Sequence, residues 1–402
     1  MNLIPFAKQH LRMNESLPFG VRDGHGRLLL ASGTQIQTEE RLAELLNNEL
    51  YADEQESLAW RRRMLATVDS MFRNNVALKH LAVARPGESA EKRVASADDS
   101  LPEAWNSLTL ALDGALRSAA PNGEWLARVQ EVAERVGELT QHKADASLYY
   151  LIYQAGHSTE RYCAHHSLTS AVVCVETARR LAWPRPLIQS LRLAALTMNV
   201  GMVRLQDQLA RQNGPLSPAV RAEVDGHSQR SADMLLASRL PVRLAIDVVR
   251  MHHTDSDPAL RLADLDTVQR LTRLLRRVDI FAAKLSCRGD RLPMSPVQAA
   301  RHACLNAEGV PDETGAAILK AVGLYPPGSL VELESGEIGI VVARGPRANM
   351  PLVATLLSAS GVPLSDSALR NTSMHRFAVK GAVSVDRVLV QPPHERLTRL
   401  AR

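Results

Sequence analysis

Apolar residues recur at three- and four-residue intervals through the middle of the chain, and that period predicts helices. Trp125, Val129, Val132, Val136 and Leu139 fall on one face of a segment running from Gly123 to Gln141, and the stretches 105–119 and 144–156 read the same way. From Pro102 onward the helical period persists for more than two hundred residues. Strand-like patterns are confined to the ends. Near the start, Phe19-Gly20-Val21-Arg22 and Arg27-Leu28-Leu29-Leu30-Ala31 flank Asp23-Gly24-His25-Gly26, whose glycines suit a tight hairpin turn. Leu42, Leu45, Leu46 and Leu50 then share a helical face. Near the end, Gly328 to Ala343 alternates apolar and polar residues around Ser335-Gly336-Glu337, predicting a β-hairpin, and the runs 351–357 and 383–390 are candidates to widen it into a small sheet. The expected fold is mainly α. A small α/β regulatory or interaction module occupies residues 1–60, a helical linker region 61–145, the central helical domain 146–325, and a β appendage with a tail 326–402. Within the linker, residues 84–102 turn polar and rich in turn formers, which predicts a mobile loop.

Composition narrows the class. With 402 residues, 45% of them hydrophobic, the chain can bury a substantial core in two or three domains. No apolar run approaches the roughly 18 residues a membrane span requires, and the first twenty residues lack the apolar centre of a signal peptide, so a cytoplasmic protein is expected. Cys163, Cys174, Cys287 and Cys304 show no Cys-x-x-Cys spacing, which argues against a zinc knuckle or a redox motif. The net charge of +5 comes from basic residues interspersed with acidic ones, and aromatics make up only 4%, poor material for stacking bases. Nucleic acid is therefore not an expected partner. Arg61-Arg62-Arg63 reads as a solvated helix end.

Chemistry gathers in the helical domain. His166, His227, His252, His253 and Asp279 are candidate metal ligands, because imidazoles and a carboxylate on separate helices can converge in a bundle core. On a continuing helix His252 and His253 point about 100° apart, so one is expected to bind metal while the other faces substrate. His157, His165 and His302 read as ordinary core or surface histidines, and pairing with Arg276 or Arg277 is a plain alternative for Asp279.

Order and context point to a family. Tyr162-Cys163-Ala164-His165-His166-Ser167 resembles the first ligand motif of HD-GYP phosphohydrolases, a branch of the HD superfamily, and 194–202, AALTMNVGM, is similar to their Ala-Ala-Leu-Leu-His-Asp-Ile-Gly-Lys segment. Asn213-Gly214-Pro215-Leu216-Ser217 with His227, then His252-His253, then Arg277-Val278-Asp279-Ile280-Phe281 with Ser286 and Arg288, and finally Tyr325-Pro326-Pro327-Gly328 follow the family's order. The resemblance covers residues 150–345. It implies an HD-type helical bundle with a two- or three-metal centre that hydrolyses cyclic di-GMP, and it makes Arg288 a candidate phosphate-binding residue.

Two departures change what is expected. The His-Asp pair that names the superfamily is replaced by Met198-Asn199 and its nearby lysine by Met202. Methionine is a soft ligand unsuited to Mn, Fe(II) or Mg, and Asn brings no charge to hold two cations together. Thr254-Asp255-Ser256-Asp257-Pro258 stands where the family carries its Gly-Tyr-Pro loop. The chain is thus expected to be a degenerate signalling protein, catalytically impaired, acting as a nucleotide sensor or a scaffold. It would bind one divalent metal (Mn, Fe or Zn) or none, with a cyclic dinucleotide as ligand and signalling proteins meeting the N-terminal module. The alternative is an active phosphohydrolase with a rearranged metal site.

Overall fold

The Asp23 carboxylate accepts the backbone N–H groups of His25 and Arg27, each at 2.9 Å, and so closes the turn between Val21–Arg22 and Leu28–Leu30. The chain's computed structural model describes residues 3–6, 8, 11, 20–31, 34, 36–54, 100–254, 260–289, 291–305 and 311–400. The helix expected after Arg61-Arg62-Arg63, nearly all of the loop at 84–102 and most of the segment replacing the Gly-Tyr-Pro loop lie outside those residues. The chain divides into two units, Met1–Ser96 and Ala97–Arg402.

In the first unit, strands β1 (Leu3–Pro5), β2 (Val21–Arg22), β3 (Leu28–Leu30) and β4 (Tyr51–Asp53) form an antiparallel sheet in the order β1-β4-β2-β3. Helix α1 (Glu39–Leu46) starts where the Thr38 hydroxyl accepts the Arg41 N–H at 3.2 Å. Its Leu45 joins Val21, Leu30, Ile36 and Ala52 in a small core.

The second unit opens with α2 (Leu101–Arg117), begun by a Ser100–Glu103 capping box, followed by α3 (Glu124–His142) and α4 (Ala144–His157). Next come α5 (Tyr162–Arg180), α6 (Arg185–Thr197), α7 (Val203–Arg211) and α8 (Pro218–Asp225). The bundle is completed by α9 (His227–Ala237), α10 (Arg243–Met251), α11 (Thr267–Leu285), α12 (Pro296–Cys304) and α13 (Glu313–Val322). Helix α5 is buried nearly all round, from Tyr162 to Ala178, with α4, α6, α11 and α13 packed about it. A helix buried on every side is one that the rest of the core surrounds, and here it carries polar residues such as His166 and Glu176 inside with it. The fold is mainly α with two small antiparallel sheets, and among the described residues no helix is long and apolar enough to cross a membrane.

Strands β5 (Leu330–Leu333), β6 (Ile338–Ala343), β7 (Leu352–Leu357), β8 (Leu369–Asn371) and β9 (Val379–Ala382) form the second sheet in the order β8-β7-β6-β5-β9. The expected strand at 383–390 is displaced. Pairing with β5 occurs at 379–382, and the Val383 N–H bond to the Leu330 carbonyl, 2.9 Å, comes just before Ser384 leads into a 3-10 turn. Gly328, with φ at 95°, lies so close to α4 that a Cβ there would sit 2.5 Å from the Tyr149 carbonyl oxygen. Arg344, just past β6, ties the sheet to the bundle: it pairs with Asp145, with Glu176 at 2.9 Å and with the Ala321 carbonyl at 2.7 Å. A last helix, α14 (His394–Leu400), buries Leu397 in the main core, and His394 bonds the Tyr149 hydroxyl at 2.9 Å.

Candidate functional site

Two helix boundaries bring three histidines together. Gly226 ends α8 and precedes α9, so His227 is the first residue of the new helix, and its Nδ1 donates to the Val224 carbonyl at 2.5 Å. Helix α10 stops at Met251, and a turn closed by the Thr254 N–H on the Met251 carbonyl, 2.7 Å, carries His252 and His253. His252 Nδ1 donates to the Val249 carbonyl at 2.6 Å. The expected divergence of the pair is therefore corrected. It assumed a continuing helix, whereas the turn brings both Nε2 atoms to 3.2 Å from His227 Nε2.

The hydrogen bonds assign the chemistry of this cluster. A carbonyl oxygen can only accept, so the Nδ1 atoms of His227 and His252 carry protons, and each neutral ring presents a bare lone pair on Nε2. Those lone pairs face one another across 3.2 Å, an arrangement that a cation between them relieves. A proton is a poor candidate. Burial pushes the pKa of His252 down to about 3, with the charge of His253 adding to it, and burial lowers that of His227 against the opposing pull of the Val224 carbonyl. Ligand atoms of His227, His252 and His253 lie within 4.8 Å of one another, and among the described residues this is the group able to hold a metal ion. Neutral imidazoles whose other nitrogen is held by a backbone carbonyl are the usual form of metal-binding histidine.

The other two predicted ligands pair with each other. His166 Nε2 lies 2.7 Å from Asp279 Oδ1, joining α5 to α11, and the His166 Nδ1 is buried without a partner. Burial by itself would raise the pKa of Asp279, but the His166 hydrogen bond and the charges of the neighbouring imidazoles outweigh it and hold the carboxyl below its ordinary range. Asp279 thus pairs with His166, while Arg277 turns to Asp312 and to the Ala303 carbonyl at 2.9 Å, and Arg276 reaches the His253 carbonyl.

Met198 and Asn199 follow the end of α6 and are 0% and 2% exposed, Met198 as part of the hydrophobic core. The segment is pinned against α9. Asn199 accepts the Met202 N–H at 2.9 Å, and Gly201 N–H donates to the Ser231 hydroxyl at 2.9 Å, one turn from His227. Neither replacement side chain offers an anionic ligand.

Next to His166, across the Tyr162 ring, lies a cationic group that sequence reading caught only in part. The Arg288 guanidinium carbon sits 5.5 Å from the centre of the Tyr162 ring, and its Nη2 is 3.3 Å from the Tyr162 hydroxyl. Tyr162 in turn stacks on His166 with ring centres 5.7 Å apart and planes 5° from parallel. Lys284 and Arg291 share the neighbourhood: burial, then the charges of Arg291 and Arg288, lower the Lys284 pKa. No carboxylate pairs with any of these three cations among the described residues, and the Arg288 Nε–H is buried without an acceptor. The spacing of Lys284, Arg288 and Arg291, running from the last turn of α11 into the loop after it, was the available signal for this cluster.

The other three histidines singled out in the sequence lie outside this cluster, and the buried Nδ1 of His165 has no hydrogen-bond partner among the described residues. His157 bonds the Tyr153 carbonyl at 2.7 Å and stacks on its ring, His302 is on the exposed side of α12, and burial lowers the pKa of His165 to about 4. Cys163, Cys174 and Cys304 are buried free thiols and Cys287 is a half-buried one.

Over 212 residues, 52% of this chain, the sequence is 30% identical to a cyclic di-GMP phosphodiesterase of Pseudomonas aeruginosa. The match covers 51% of that protein, so the chain spans about half the length of the curated relative it matches. Among solved structures, an HDGYP protein from Bdellovibrio bacteriovorus aligns with 79% of this chain and 98% of its own at 14% identity and a TM-score of 0.42. No family model matches the chain. The resemblance to HD-GYP proteins read from the motifs is borne out by the sequence match.

Proposed function

We propose that this HD-GYP-like chain is a signalling protein that binds a cyclic dinucleotide and hydrolyses it poorly or not at all, serving as a nucleotide sensor or a protein-interaction scaffold. One contrast carries the reading: Lys284, Arg288 and Arg291 have no carboxylate partner among the described residues, while the uncharged Asn199 stands where the resemblance calls for a bridging carboxylate. Cations suffice to recognise a phosphodiester. Hydrolysis asks for more, because two ions must stabilise both the attacking and the leaving oxygen. The phosphodiesterase named in Pseudomonas aeruginosa supports cyclic di-GMP as the ligand.

His227, His252 and His253 fit a single divalent ion, Mn, Fe or Zn, and Asp279 and His166 are candidates to complete its surroundings. Such an ion supplies a Lewis acid for a phosphoryl oxygen. The protein's own groups do the rest. Arg288 orients a phosphate, Tyr162 steadies Arg288, and the ionised Asp279 keeps His166 in place. The N-terminal module, residues 1–60, is the proposed contact for signalling proteins, in the cytoplasm.

Calorimetry with cyclic di-GMP, paired with chromatography of the nucleotide products, tests the reading. Binding without product is expected. Metal-dependent turnover at about 1 s⁻¹ or faster, within the ordinary enzyme range, overturns it. The compact histidine cluster favours a second reading, an active phosphohydrolase with a rearranged site. That reading requires near-stoichiometric metal in protein purified without chelators and loss of turnover in His227→Ala.

A further inference from the structure

Arg288 is aimed by a helix that carries none of the predicted site residues. Helix α7 touches both chain segments that build the contact between Tyr162 and Arg288. Asp207, 3% exposed, accepts the Cys163 backbone N–H through Oδ1 at 2.8 Å and pairs through Oδ2 with Arg117. Cys163 belongs to the first turn of α5, where N–H groups have no partner within the helix. The residue at the cap position, Arg161, has φ at 47° and makes no side-chain capping bond. Asp207 therefore supplies from another helix an acceptor that a cap would normally provide. Three residues further along α7, the Ala210 carbonyl accepts the Gly289 N–H at 2.8 Å. A Cβ at position 289 would lie 2.4 Å from the Arg211 carbonyl oxygen, so the loop after α11 rests directly on α7.

Tyr162 adjoins Cys163, and Arg288 adjoins Gly289. By gripping both neighbours, α7 fixes the spacing of ring and guanidinium. We infer that Asp207 and Tyr162 are positioning residues for an oxyanion-binding Arg288, holding its unpartnered Nε–H ready for a phosphate-class ligand. The inference rests on the reading of this site as phosphodiester-binding. Its physical content is preorganisation: a long side chain whose rotamer is set before the ligand arrives loses less freedom on binding. A purely structural Asp207 would stabilise the fold without tuning anion affinity.

The full-length chain titrated with inorganic phosphate and with cyclic di-GMP separates these roles, with the Arg288 Nε–H resonance followed by ¹⁵N NMR and Tm measured in parallel. Tyr162→Phe removes only a hydroxyl and is expected to weaken phosphate about 5-fold with little change in Tm. Asp207→Ala is expected to weaken it about 10-fold or more, and Asp207→Asn, whose amide oxygen can still accept the Cys163 N–H, to restore most of that affinity. Arg117→Met breaks the same ion pair but leaves the Asp207–Cys163 bond, so Tm falls while phosphate affinity holds. The inference is overturned if Tyr162→Phe binds like the parent, or if Asp207→Ala and Arg117→Met lose affinity equally. If the parent binds both ligands and the variants do not differ, only the positioning role falls. If the parent binds neither, the reading of the site falls with it.

Discussion

Restoring the superfamily's pair by Met198→His with Asn199→Asp probes the site from within. Both positions are buried, at 0% and 2% exposure, beside a segment bonded to α9 one turn from His227. Without metal, a buried carboxylate left uncompensated there costs about 3–5 kcal/mol. At about 2 °C per kcal/mol for a domain of this size, Tm should fall by roughly 6–10 °C in chelator. Metal reverses much of the loss. An ion present at about 100 times its dissociation constant stabilises by about 2.7 kcal/mol, or roughly 5 °C. The assay is a thermal melt at pH 8, where the new carboxyl is kept ionised, with chelator or with added Mn or Zn, and elemental analysis counts the ions bound. The double variant should show a larger metal-dependent rise than the parent and bind more metal. Equal rises and equal metal content in the two proteins would refute the proposal that positions 198 and 199 decide how much metal the site holds.

Other consequences are as direct. His227→Ala removes the imidazole that both neighbouring histidines approach at 3.2 Å, and metal affinity measured by calorimetry should drop at least about 100-fold, the upper end of the losses seen for mere outer-shell changes. Arg344→Met leaves Glu176, only 9% exposed, with Arg179 as its remaining ion-pair partner, and urea unfolding should show about 2–3 kcal/mol lost, below the range for a fully buried pair. An unchanged midpoint would mean the sheet is held to the bundle by packing alone. Burial, then the charge of His157, lowers the pKa of His394, so the ring holds a proton less readily folded than unfolded, where it titrates at about 6.5. Stability is therefore lost as pH falls from about 6.5 towards the depressed folded value, and His394→Phe should lose less on the same acidification in parallel denaturant titrations.

Much of the fold can be read locally. The spacing of Trp125, Val129, Val132 and Val136 names a helix because neighbours three and four residues apart share a face, and the structure has α3 there. Alternation over 328–343 likewise names the β5–β6 hairpin. The strand at 379–382 and the docking of α14 were not legible, since each depends on a distant partner: β5 for the first, Tyr149 and the main core for the second. The order of motifs conveyed the HD-GYP resemblance, and the same register exposed Met198-Asn199.

What the amino-acid sequence determined by itself, then, is the composition of the candidate site: which histidines, which carboxylate, and where Met198-Asn199 departs from the resembled pattern. Only the tertiary structure decided how they associate. His252 and His253 converge on His227 because α10 ends at Met251, and a helix end is set by packing as much as by propensity. His166 and Asp279 meet across 113 residues of chain, and among the described residues no carboxylate pairs with Lys284, Arg288 or Arg291. Periodicity reports the face a residue occupies, whereas contact between faces is fixed by the whole core at once.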